Sequence, residues 1–176
     1  NITLQSQQGK GCVFKFSLLL PIMNISTLIP KDQKSSAKPH DTKYSSTTEQ
    51  LIANISNKRV LLVEDNRINQ IIALKMLHDF GMNTSSAVNG QEALDRVKEE
   101  QFDIILMDIQ MPIMNGYEAT HKIRQLIQYQ SIPIIAITAN AMSDDYEASI
   151  NAGMNSHITK PLNSDKLLIE LSKFLS

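Results

Sequence analysis

Arg59-Val-Leu-Leu-Val-Glu-Asp-Asn66 sets the architecture of this chain. A short run of branched apolar residues ends abruptly in two adjacent acids. Such a run reads as a buried strand opening into a polar loop. The design returns three times downstream. Asp108 follows Phe102-Asp-Ile-Ile-Leu-Met107, Thr138 follows Ile132-Pro-Ile-Ile-Ala-Ile137, and Lys160 follows Ser156-His-Ile-Thr159. Helical spacing fills the intervals. One helix carries Ile68, Ile71, Ile72 and Met76 and stops at Gly81. A second, Gln91–Glu100, turns Ala93, Leu94 and Val97 inward, and two more are expected at Gly116–Gln128 and Ser143–Ala152. The last, Asn163–Leu175, puts Leu167, Leu168, Leu171 and Leu175 on one stripe. Asn83–Ala87, rich in Ser and Thr, reads as a weak strand near a sheet edge. Alternating strands and helices predict an α/β fold, a doubly wound five-stranded parallel sheet with right-handed crossovers.

Upstream of Lys58 the composition changes twice. Residues 1–21 contain Gly9-Lys-Gly11 and an alternating run, Cys12-Val-Phe-Lys-Phe-Ser-Leu-Leu-Leu20, that reads as a half-buried strand closed by Pro21. Residues 22–57 are mostly polar and read as a linker, with a short helix near Gln50–Ile55. Residues 58–176 form the α/β unit. The chain starts at Asn1, in the middle of a pattern, and reads as a piece of a longer protein.

Bulk properties exclude several functions. The net charge is -1 and there is no Trp, so neither a basic footprint nor a stacking platform argues for nucleic acid. The single cysteine excludes an internal disulfide framework and fits a reducing, cytoplasmic setting. No apolar run is long enough to span a bilayer, so no direct membrane contact is expected from this piece. His40, His78 and His121 show no metal-ligand spacing.

In an open parallel sheet, ligands collect beyond the carboxyl ends of the strands. Glu64, Asp65, Asp108, Thr138 and Lys160 all fall there. Singly, each has an ordinary explanation: an Asp after a strand most often caps a helix, and Thr is a common strand residue. Together they form a pocket for a divalent cation and a phosphoryl group. Mg²⁺ requires hard oxygen ligands and keeps several waters. Asp65 and Asp108 supply two ligands and a backbone carbonyl just after Asp108 a third, with Glu64 acting through water. Without a cation the three carboxylates repel, and at least one should resist ionisation. With one, Asp108 is a nucleophile that forms an acyl phosphate. Lys160 holds a phosphoryl oxygen, and the Thr138 hydroxyl hydrogen-bonds the product.

Four stretches resemble the receiver domains of two-component phosphorelay proteins. They are Val63-Glu-Asp-Asn-Arg-Ile-Asn69, Met107-Asp-Ile-Gln-Met-Pro-Ile-Met-Asn-Gly116, Ile137-Thr-Ala-Asn140 and Ile158-Thr-Lys-Pro161. The resemblance implies a flavodoxin-like (βα)5 receiver fold and Mg²⁺-dependent transfer of phosphate from a phosphohistidine to Asp108, followed by slow self-dephosphorylation. It makes Glu64, Asp65, Asp108 and the Gln110 backbone carbonyl the metal site, and Thr138 and Lys160 the switch hydroxyl and phosphate-binding lysine. It also implies a cis bond between Lys160 and Pro161. The partner it implies is a histidine kinase core or a histidine phosphotransfer domain. The first loop is most similar to receivers attached to hybrid sensor kinases, and Gly9–Pro21 is similar to the tail of a kinase ATP-binding domain. The piece itself would catalyse only its own aspartyl phosphorylation and dephosphorylation. One departure stands out: His157 occupies the place of the usual switch Tyr or Phe.

Other classes fit less well. A dehalogenase-type phosphatase needs an acid two residues after the nucleophile, where Gln110 stands. A nucleotide-binding doubly wound domain needs glycines after its first strand, and Glu64-Asp-Asn-Arg-Ile-Asn69 has none. A pseudo-receiver without chemistry would not need all five groups.

Overall fold

The computed structural model describes residues 2–7, 11–16, 46–139 and 143–175, with side chains from 47 to 139 and 146 to 175. The chain divides into two units, residues 1–42 and 43–176. In the first, β1 (Ile2–Gln7) pairs antiparallel with β2 (Gly11–Phe16), Ile2 opposite Phe16 and Gln7 opposite Gly11. The expected strand through Leu20 is thus present to Phe16, and Ser17–Leu20 lie outside the described residues.

The second unit begins with α1 (Ser46–Ile55), inside the stretch read as linker; residues 22–45 lie outside the described residues. Ile55 is fully buried, and Leu51 and Ile52 pack on the same core. Then follow β3 (Arg59–Val63), α2 (Arg67–Asp79), β4 (Asn83–Ala87), α3 (Gly90–Glu99), β5 (Ile104–Asp108) and α4 (Gly116–Arg124). A 3₁₀ turn (Ile127–Tyr129), β6 (Ile134–Thr138), α5 (Ser143–Asn151), β7 (Ser156–Thr159) and α6 (Ser164–Leu175) complete it. The five strands are parallel in the order β4-β3-β5-β6-β7, which is 2-1-3-4-5 counted within this unit. The Ser/Thr-rich β4 is an edge strand, as its composition predicts.

Strand alternation divides the core between the two faces of the sheet. Val60, Leu62, Ile104, Leu106, Ile135 and Ile137 face a layer with Ala73 and Leu77 of α2 and Leu167, Leu168 and Leu171 of α6. Leu61, Val63, Ile105, Met107, Ile134 and Ala136 face Ala93 and Val97 of α3 and Ala119 and Ile123 of α4. Each large apolar side chain among these, fully buried, contributes about 1.5–3 kcal/mol. Strands covered on both faces explain the unbroken apolar runs.

Two helices differ from their sequence reading. α4 ends at Arg124 because the chain tightens into the 3₁₀ turn, which buries Tyr129 and sends its hydroxyl to the Glu100 carbonyl at 2.6 Å. In α2 the spaced isoleucines are not the buried face: Ile68, Ile71 and Ile72 are 70%, 56% and 46% exposed, while Ala73 and Leu77 are inside. Among the described residues no helix is long and apolar enough to cross a membrane.

Candidate functional site

The strand order reverses at β3, whose neighbours are β4 and β5. A crevice opens beyond the carboxyl ends of strands at such a point. Glu64 and Asp65 follow β3 there, and Asp108 ends β5. None of the three acids serves as the helix N-cap; asparagines take that role. Asn66 accepts from the N–H groups of Ile68 and Asn69 to cap α2, Asn89 caps α3 through Glu92, and Asn115 caps α4 through Glu118. Neutral caps satisfy the orphan donors without adding charge to an acidic loop.

Glu64, Asp65 and Asp108 each place a carboxylate oxygen within 4.8 Å of the others'. Asp65 is exposed, while Glu64 and Asp108 are 1% and 3% exposed. Lys160 joins the buried pair: its Nζ lies 2.6 Å from Asp108 Oδ2 and 2.8 Å from Glu64 Oε2. The Gln110 N–H donates to Asp108 Oδ1 at 3.2 Å. Gln110 also lines an open pocket with Asp65, Met111, Pro112 and Tyr117. The donor set, three oxygen-bearing acids around an open mouth, suits a hard divalent cation.

Charge balance at the site is uneasy. Burial pushes the Asp108 carboxyl above the ordinary carboxylate value; the Glu64 charge adds to this, and Lys160 works against it. Burial alone would depress Lys160, but hydrogen bonds and charge from Asp108 and Glu64 prevail and hold its ammonium above the usual range. Close packing fixes the loop after Asp108 from beneath. A Cβ on Gly116 would fall 2.2 Å from the Asp108 carbonyl oxygen, so only glycine fits there. In the same loop Ile113 sits at φ 71°, 82% exposed, a strained conformation for a β-branched residue.

Thr138 ends β6, 5% exposed, and its carbonyl accepts from Lys160 N–H at 2.7 Å. The Lys160–Pro161 bond is cis. His157 lies on edge strand β7 with its ring edge-on to Tyr146 of α5, centroids 5.2 Å apart, and its buried Nδ1 has no hydrogen-bond partner. His78 and His121 are exposed, and His40 lies outside the described residues.

Sequence reasoning missed two contributors. Asn69 donates to Glu64 Oε1 at 3.0 Å. Ile68, Ile71 and Ile72 form an uncovered apolar ridge on the helix that starts at the site. Spacing revealed that ridge but not which way it faces.

A family model described as response regulator receiver domain matches residues 60–172. Among curated relatives, Two-component system protein A of Emericella nidulans is 39% identical over 94% of this chain and 24% of its own length. The autoinducer 2 sensor kinase/phosphatase LuxQ of Vibrio vulnificus is 34% identical over 98% of this chain and 18% of its own length. The chain thus spans a quarter or less of these relatives. Of solved structures, the receiver domain of a sensor histidine kinase from Pseudomonas aeruginosa, with a magnesium ion coordinated in its active-site cleft, aligns at TM-score 0.65 and 36% identity, covering 68% of this chain and 98% of that one. The receiver domain of Saccharomyces cerevisiae Ssk1, crystallised with the histidine phosphotransfer protein Ypd1, aligns at TM-score 0.64 and 31% identity, covering 69% of this chain and 90% of that one.

Proposed function

The chain belongs to the response regulator receiver domain family of two-component signalling, and on that basis we propose that Asp108 is its phosphoacceptor. The observation that carries this reading is the buried Asp108 carboxylate, shared through Lys160 with Glu64 and ringed by the acids of a cation site. An Asp108 carboxylate oxygen forms a bond to phosphorus as the P–N bond of a phosphohistidine breaks, and the freed imidazole takes up a proton. Glu64, Asp65, Asp108 and the Gln110 carbonyl hold Mg²⁺, which supplies charge neutralisation at the phosphoryl oxygens. Lys160, shared between two carboxylates before transfer, turns to a phosphoryl oxygen. The Thr138 hydroxyl donates to another. Water later hydrolyses the acyl phosphate slowly.

Phosphorylation adds roughly -1.5 to -2 charge. Thr138 and His157 act as the switch that carries this change to the face of α5, β7 and α6. The phosphodonor is a histidine kinase core or a histidine phosphotransfer domain, docking on the Ile68–Ile72 ridge. The Ssk1 complex supports the second choice by likeness. The parent is a hybrid histidine kinase working in the cytoplasm, with residues 1–21 the end of its ATP-binding domain, 22–57 a linker and 58–176 the receiver. The reach of the LuxQ similarity over 98% of the chain supports that arrangement.

Acetyl phosphate with Mg²⁺ should label the chain, and borohydride trapping with mass spectrometry should map the label to Asp108. Undiminished labelling of Asp108→Asn would remove the assignment.

A further inference from the structure

Glu64 is engaged on both sides. Oε2 faces Lys160 Nζ at 2.8 Å, and Oε1 accepts from the Asn66 N–H at 3.3 Å and from Asn69 Nδ2 at 3.0 Å. Asn69 is the third residue of α2, a position from which a capping-box side chain reaches back to the N-cap's own N–H. Here Glu64 has already taken that N–H, and Asn69 donates to the same oxygen. Its own N–H goes to Asn66 Oδ1 at 3.2 Å. The helix terminus and the acid are therefore tied by neutral donors in a closed loop.

Beside this loop lies a cavity of about 110 Å³ lined by Glu64, Asn69, Ile72, Lys160, Pro161 and Leu162. Without the Asn69 amide, the Glu64 carboxylate has room to turn into it. We infer that Asn69 is a positioning residue for the cation site, fixing Glu64 Oε1 so that Oε2 stays turned toward Lys160 and the metal. The inference rests on the reading of the three acids as a Mg²⁺ site. An amide is well suited here because it orients the carboxylate without bringing a positive charge that would oppose the cation. Outer partners of this kind commonly govern metal affinity by about 10–100-fold.

Calorimetric Mg²⁺ titration of the whole chain tests it. Asn69→Ala should weaken binding roughly tenfold. The rate of labelling by acetyl phosphate at saturating Mg²⁺ should be unchanged, so that only its dependence on Mg²⁺ concentration moves. Asn69→Gln, which retains the amide donor, should recover most of the affinity. In a Glu64→Ala background, which removes the acceptor altogether, Asn69→Ala should have no further effect, because the residue acts through that carboxylate. If Asn69→Ala melts too early to titrate, Asn69→Ser, whose hydroxyl is too short to reach Oε1, gives the same comparison. Unchanged affinity in the alanine or serine variant, or an equal loss in the Glu64→Ala background, overturns the inference and leaves the Mg²⁺ reading intact. A parent chain that binds no Mg²⁺ overturns both.

Discussion

The two ends of the parallel sheet handle charge in opposite ways. At the amino end of β6 and β7, Arg124 donates to the carbonyls of Gly153, Tyr129 and Ile132 and to Asn155 Oδ1, at 2.6–2.9 Å. Asn155 Oδ1 also takes the Ile134 N–H, and Gly153, at φ 97°, leaves space for the arginine stem. Every acceptor there is neutral, and the guanidinium's fork matches their arrangement. At the carboxyl end, three acids share one pocket with a single lysine, and burial pushes the Asp108 carboxyl above the ordinary carboxylate value. One end is satisfied and the other is frustrated, within the same sheet. The contrast separates two roles. The satisfied end supplies stability, and the frustrated end keeps its groups ready for a cation and a phosphoryl group.

Disrupting the satisfied end should have the largest effect. Arg124→Ala takes the arginine donor from three backbone carbonyls, while Asn155 Oδ1 keeps the Ile134 N–H, and should lower stability by about 2–4 kcal/mol in urea denaturation. Acetyl phosphate should still label the folded protein at Asp108.

Neutralising the frustrated end should do the reverse. Asp108→Asn removes labelling yet should raise the metal-free melting temperature, by an amount within the about 0.5–3 kcal/mol range of ordinary substitutions. The sign follows from the raised Asp108 pKa. The folded chain binds this proton more tightly than the unfolded one, so metal-free stability falls as pH rises from the unfolded value of about 3.9 through the folded value. Asparagine escapes that loss. Its advantage should therefore be full above the window and vanish below it, which melting curves from pH 3 to 8 would reveal. Equal stability of the two proteins at neutral pH would remove the idea of frustration. Loss of the Lys160 ion pair in the variant opposes the gain, and the direction of the Asp108 shift fixes the net sign.

Two smaller effects refine the contrast. Ile113→Asn relieves a left-handed β-branched residue and should add about 1 kcal/mol in the same denaturation experiment. Smallest in stability is Ile68→Ser with Ile71→Ser: at 70% and 56% exposure each should change stability by no more than about 0.5 kcal/mol. The pair should nevertheless slow phosphotransfer from a histidine phosphotransfer protein while leaving labelling by acetyl phosphate untouched. Equal slowing with both donors would move the effect from docking to chemistry.

The frustrated end was the more legible in sequence. Its groups stand at strand ends, where apolar runs break, so Glu64, Asp108, Thr138 and Lys160 announce themselves by position. Leu167, Leu168, Leu171 and Leu175 were likewise readable, because α6 buries the stripe its spacing predicts. The satisfied end left no such mark. An arginine at a helix terminus looks like ordinary surface, and most of its acceptors are backbone carbonyls, which no side chain advertises. α2 misled for a related reason: period reports that a face exists, and tertiary packing decides whether it is covered. α1 went partly unread because polar Ser46–Gln50 resembles linker, while only Leu51, Ile52 and Ile55 meet the core.

The asparagine caps also bear on chemical ageing. Two of them precede glycine, Asn89-Gly90 and Asn115-Gly116, and Asn–Gly is the pair at which the following backbone nitrogen most easily attacks the side-chain amide and closes a succinimide. In the folded chain both nitrogens are already committed, Gly90 N–H to the Met114 carbonyl at 3.0 Å and Gly116 N–H to the Ile109 carbonyl at 2.9 Å. Both side-chain oxygens are held by the N–H groups of Glu92 and Glu118. Folding therefore protects these positions from deamidation. Each visit to the unfolded state exposes them, and the aspartate or isoaspartate formed at Asn115 would add a permanent negative charge to the loop that carries Asp108.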